Sequence, residues 1–70
     1  MLVLKVNTGE RVTLFHGGKE IGQVAFDRNP GCGQNSIRLM FDFEREIDIY
    51  RNAVIERSDA LRANLTFRNR

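Results

Sequence analysis

His16 and Cys32 are the only histidine and the only cysteine in a chain of 70 residues. One of each cannot assemble a Cys/His zinc cage, and a lone cysteine closes no internal disulfide. Scattered carboxylates supply no paired general acid and base, and no activated nucleophile, so neither an enzyme nor a cofactor is expected. His16 belongs to His16-Gly17-Gly18-Lys19, which reads as a hairpin connection centred on a glycine pair, and a surface turn histidine follows. Cys32 lies in residues 27–34 (DRNPGCGQ), a stretch dense in turn formers. Its spacing fits no phosphate loop and no helix follows directly, so a plain hairpin loop with an exposed thiol is expected. What remains is Arg51. It stands where a period-2 pattern gives way to a helical one.

The charge distribution singles out the same end. Residues 1–50 carry six Lys and Arg against seven acids, a net of −1, whereas residues 51–70 carry five arginines against Glu56 and Asp59, a net of +3. An arginine-rich end suits phosphate contact, because guanidinium offers a bidentate fork.

The elements that must position Arg51 follow from alternation. In residues 35–57 (NSIRLMFDFEREIDIYRNAVIER), Ile37, Leu39, Phe41 and Phe43 share one strand face, with Ser36, Arg38, Met40 and Asp42 opposite. Glu44-Arg45 makes a corner, and Ile47 and Ile49 resume the alternation. Val54, Ser58, Leu61 and Leu65 then fall on one helical stripe. Upstream, residues 2–7 form a strand with Leu2, Leu4 and Val6 on one face. Thr8-Gly9-Glu10 is a turn, and residues 11–15 form a second strand. Residues 20–26 form a third, whose parity slips at Gly22, where a bulge would repair it. The helix begins near Arg51-Asn52, with Asn52 as its N-cap, and runs to about Leu65. Ser58-Asp59 invites a kink or restart capped by Ser58, and residues 66–70 are expected to fray.

The expected fold is therefore mainly β, with five short antiparallel strands (about 1–50) and a C-terminal helix (about 51–65) in a single domain. A core this small is barely self-sufficient, and five short strands expose edges that another copy could cover. A strand-sharing homodimer resolves both difficulties. No apolar run approaches the roughly 20 residues of a membrane span, and no leader opens the chain, so a cytoplasmic protein without membrane contact is expected.

The opening MLVLKVNTGE resembles the MLILTRRxGE start of the carbon storage regulator family, CsrA and its RsmA and RsmE relatives. The stretch 35–57 is similar, without a gap, to that family's NQVRIGVxAPxxVxVHRxEIxxR. The two segments cover about half the chain, and the element order agrees. The resemblance implies an intertwined homodimer in which the first strand of one chain lies beside the fifth of the other. It implies binding of messenger or small RNA at an exposed GGA, with repression of translation or altered messenger stability. Leu4, Lys5, Val6 and Asn7 would form one wall of each site, with Ile47, Ile49, Tyr50 and Arg51 of the partner as the other; Arg38 joins the RNA-binding set. An arginine beside an aromatic would supply a phosphate fork and a stacking face.

The chain departs from the family pattern at several of these points. Val6 and Asn7 stand where the family has paired arginines, Tyr50 where it has histidine, Met40 for a glycine, and Phe43-Glu44 for the Ala-Pro corner. The alternative expectation is a protein-interaction module. It keeps the family fold but uses the surface acidified by Glu44, Glu46 and Asp48 to bind a protein antagonist or heterodimerise, having lost GGA recognition.

Overall fold

Strand alternation, read against burial, fixes which side of each strand packs. The computed structural model describes residues 1–27, 33 and 35–68. In chain order the elements are β1 (Leu2–Asn7), β2 (Arg11–His16), β3 (Lys19–Ala25), β4 (Ser36–Phe41), β5 (Ile47–Arg51), α1 (Asn52–Arg57) and α2 (Asp59–Ala63). The strands form two antiparallel sheets, β1-β4 and β3-β2-β5. Arg28, Asn29, Pro30, Gly31, Cys32 and Gln34, and with them the expected exposed thiol, lie outside the described residues.

The hydrophobic core sits between the sheets. Val6, Val12 and Phe41 are its buried centre, and Leu4, Val24, Phe26, Leu39 and Ile49 pack against it. These are the inward faces that alternation assigns to β1 and β4, while Lys5, Arg38 and Met40 on the opposite faces are exposed. β2 differs from the other strands because it is covered on both sides. Val12 and Leu14 face the β1-β4 sheet, while Thr13 and Phe15 are buried (1% and 0% exposed) on the side that carries the helices. Phe15 packs there against the rings of Tyr50 and Phe67, at centroid distances of 5.9 and 5.7 Å.

The turns follow from their residues. Gly17 and Gly18 both have positive φ (59° and 80°) and join His16 to its ladder partner Lys19. This is the two-residue hairpin whose backbone twist matches that of the strands, and it needs residues tolerant of positive φ at both centres. His16 is exposed at its base. The parity slip in β3 is a bulge: Leu14 pairs with Gly22 and Phe15 with Glu20, so Ile21 is the extra residue. Ile21 is accordingly turned out to solvent.

One expectation is met in its stronger form, a restart at Ser58, and three require correction. The helical segment breaks into α1 and α2 at the expected place: Ser58 adopts an extended conformation (φ −121°, ψ 103°) and its hydroxyl accepts from the Leu61 amide to start α2. Asn52 is not the N-cap of α1: Arg51 occupies that position without a side-chain cap, and the Asn52 side-chain oxygen accepts from the Thr13 hydroxyl instead. The residue α1 buries is Ile55, while Val54 is exposed, so the expected stripe fails at its first member, although Ser58, Leu61 and Leu65 are half-buried. Finally, residues 66–68 do not fray. The Thr66 amide donates to the Gly18 carbonyl (2.7 Å), the Glu20 amide to the Thr66 carbonyl (2.8 Å), and the Arg68 guanidinium to the Ile21 carbonyl (2.8 Å). That tail covers the outer edge of β3 where the bulge begins.

The outer edges of β1, β4 and β5 have no ladder partner among the described residues. The radius of gyration is 13.1 Å, with extents of 40 × 23 × 21 Å, against about 11 Å for a compact domain of this length. No helix among the described residues is long and apolar enough to cross a membrane.

Candidate nucleic-acid interface

The residues singled out from sequence fall into three places. Leu4, Val6 and Ile49 belong to the core; Val6 is 0% exposed, so its side chain cannot reach a ligand. Only backbone groups of β1 remain to offer at that position. Ile47 is half-buried on the same face of β5 as Ile49. It lines a groove of about 340 Å³ with Met1, Leu2, Phe41, Phe43 and Tyr50, between the start of β1 and the free side of β5.

Tyr50 and Arg51 do not make the joint stacking-and-phosphate patch that their adjacency suggests. Successive strand residues point to opposite faces. Tyr50 is the rung partner of Thr13 and leans on Phe15 beneath the helices, whereas Arg51 is the partner of Val12. The Arg51 guanidinium reaches Glu10, at 3.8 Å, and is about one-third exposed. The other Glu10 oxygen accepts from the Asn7 amide (2.7 Å). One carboxylate thereby ties the end of β1, the β1–β2 turn and the β5–α1 junction together. The Gly9 amide donates to the Phe26 carbonyl and the Thr8 amide to the Asn35 carbonyl, anchoring the same corner to the ends of β3 and β4. Asn7 and Arg51 thus lie at one corner, bridged by Glu10, a residue the sequence places only in a turn.

Lys5 and Arg38 are brought together directly as cross-strand partners, both exposed. Neither forms an ion pair or a side-chain hydrogen bond among the described residues. The arginines of the basic C-terminal end are, by contrast, engaged within the chain. Arg57 donates to the Ala53 carbonyl, and Arg62 to the Ile55 and Glu56 carbonyls and the Asp59 carboxylate. Arg62 therefore satisfies the carbonyls that the end of α1 leaves open. Arg68 holds the tail, and Arg70 lies outside the described residues.

The β4–β5 corner carries the opposite charge. Asp42, Glu44, Glu46 and Asp48 are all exposed, with Arg45 among them. Among the described residues, no three His, Cys, Asp or Glu side chains are placed to hold a metal ion. No family model matches the chain, and no curated protein or solved structure matches it.

Proposed function

We propose that the chain is a cytoplasmic RNA-binding regulator of the carbon storage regulator type. It acts as a strand-sharing homodimer that binds GGA-bearing leaders or small RNAs and thereby alters translation or messenger stability. The observation that carries this reading is the split of the strands into a two-stranded and a three-stranded sheet, with one edge of β1 and one edge of β5 unpaired among the described residues. Apolar residues flank the groove between them on both sides, Met1 and Leu2 on one and Ile47 and Ile49 on the other. A second copy that laid its β5 against this β1 would complete a five-stranded sheet, cover the mixed groove that Glu44, Arg45 and Asp48 share with these apolar residues, and remove two exposed edges. The same arrangement is what the sequence resemblance implies.

Within the site, Arg51 is the phosphate and base-edge contact. Its pair with Glu10 is long and solvent-screened, and such pairs contribute little. RNA can therefore draw the guanidinium away at small cost, while Glu10 keeps it aimed in the free protein. The test is a titration of a hairpin RNA with a GGA loop against wild type and Arg51→Ala, at low and physiological salt. Tight binding by wild type is expected, with the mutant weakened and its salt slope reduced by about 1. A dimeric wild type that binds no GGA hairpin would refute the RNA reading.

The acidic β4–β5 corner favours a second reading, in which the same dimer binds a basic protein surface or heterodimerises with an active regulator. Purification from cells separates the two. Co-purifying nucleic acid supports the first, and a stoichiometric protein partner supports the second.

A further inference from the structure

A cavity of about 330 Å³ lies on the helix side of β2, with walls from β2, β3, α1, α2 and the returning tail. Two of its polar residues are almost wholly buried, Thr13 at 1% and Glu20 at 6% exposure. Burying polar groups is costly unless they are hydrogen-bonded, and the fold meets most of that demand internally. The Thr13 hydroxyl donates to the Asn52 side-chain oxygen and accepts from the Gln23 amide (3.2 Å), whose own oxygen accepts from Arg11 (3.2 Å). Glu20 accepts from the Arg68 amide (3.4 Å). Two lining groups are left over. Among the described residues the Asn52 amide nitrogen donates to nothing, and the Glu56 carboxylate has neither an ion pair nor a hydrogen bond. The charge is unbalanced as well. Glu20 and Glu56 line the cavity with a single cation, Arg62, whose guanidinium is committed to Asp59 and to the Ile55 and Glu56 carbonyls.

We propose that this cavity binds a small organic cation, a primary ammonium or guanidinium carried on a short apolar body. The cationic head pairs with the Glu56 carboxylate, and the body lies against Ile55 and the Phe67 ring, which supply the apolar wall. A ligand hydroxyl or carbonyl takes the Asn52 amide. An apolar-walled hollow with a few converging polar groups is the usual form of a small-molecule site, and an aromatic face adds attraction for a cation. An anion would meet two carboxylates with no uncommitted cation to answer them. None of the lining residues belongs to the proposed RNA site, so the cavity is filled or empty whatever the chain does with RNA.

The test titrates the intact chain, carrying labelled methyl groups, with three probes of similar shape and different charge: phenethylamine, phenethyl alcohol and phenylacetate. The amine is expected to shift the Thr13 and Ile55 methyl resonances and to bind about tenfold more tightly than the alcohol, the gain of a charge-assisted contact. Phenylacetate should move neither methyl. Glu56→Gln should cut the affinity for the amine by about threefold, the worth of an exposed pair, and leave the alcohol unchanged. Glu56 is exposed on α1, so this variant keeps the fold. Glu46→Gln, which removes an exposed carboxylate of the β4–β5 corner, should change neither affinity. Equal binding of all three probes, an amine that moves neither methyl, or a Glu56→Gln variant that binds the amine as wild type does would each overturn the proposal. Tetralysine binding more tightly than the amine through the same methyls would overturn it too, by giving the cavity to a lysine of a protein partner.

Discussion

The two sheets are built to different standards of closure. In the β3-β2-β5 sheet, β2 is buried on both faces, the tail at Thr66–Arg68 covers the β3 edge, and Thr13 sits in a hydrogen-bonded set with Asn52 and Gln23. The β1-β4 sheet has one packed face, two open edges, an unpaired cation rung and a solvent-facing methionine. Both halves contribute to the core of the single chain, Val6 and Phe41 from the open sheet and Val12 from the closed one. The open half has surfaces that the chain alone leaves unused, and it is there that a second copy and a nucleic acid are proposed to bind.

Substitutions should separate the halves in order of effect. Phe15→Ala empties the centre of the aromatic cluster under the helices and should destabilise the chain by about 3–5 kcal/mol in chemical denaturation. Met40→Ala on the open face should change the same measurement by no more than about 0.5 kcal/mol, and a large loss there would mean the face is covered. Thr13→Val removes the hydroxyl that joins Gln23 to Asn52, two half-buried side chains, and should cost about 1 kcal/mol. Ser58→Ala deletes the cap of α2 and should cost about 1 kcal/mol, read as a lower denaturation midpoint with loss of helical circular dichroism. The smallest effect has the opposite sign. Lys5→Glu replaces a repelling rung with an attracting one and should stabilise by about 0.2–1 kcal/mol, while weakening RNA binding at the proposed site.

Local features of the fold were legible in the sequence. The Gly17-Gly18 hairpin, the bulge beside Gly22, the inward faces of β1 and β4 and the restart at Ser58 each follow from chemistry within a few residues. Longer-range consequences were not. The phase of α1 is set by its docking beneath β2, so Ile55 is buried where a continuous stripe had suggested Val54. The Lys5–Arg38 register joins strands far apart in the chain, and no turn chemistry between them specifies it. Charge counting pointed to the C-terminal arginines, yet Arg57, Arg62 and Arg68 serve backbone carbonyls within the chain. The unpaired cations of the rung lie in the half whose net charge is negative. Sequence shows where charge is, but pairing decides whether it is free.

The central claim is that β1 and β5 pair with a second copy of the chain. Light scattering at micromolar concentration measures this directly. The account predicts twice the 8.1 kDa mass of the single chain. A particle of 8.1 kDa would contradict it.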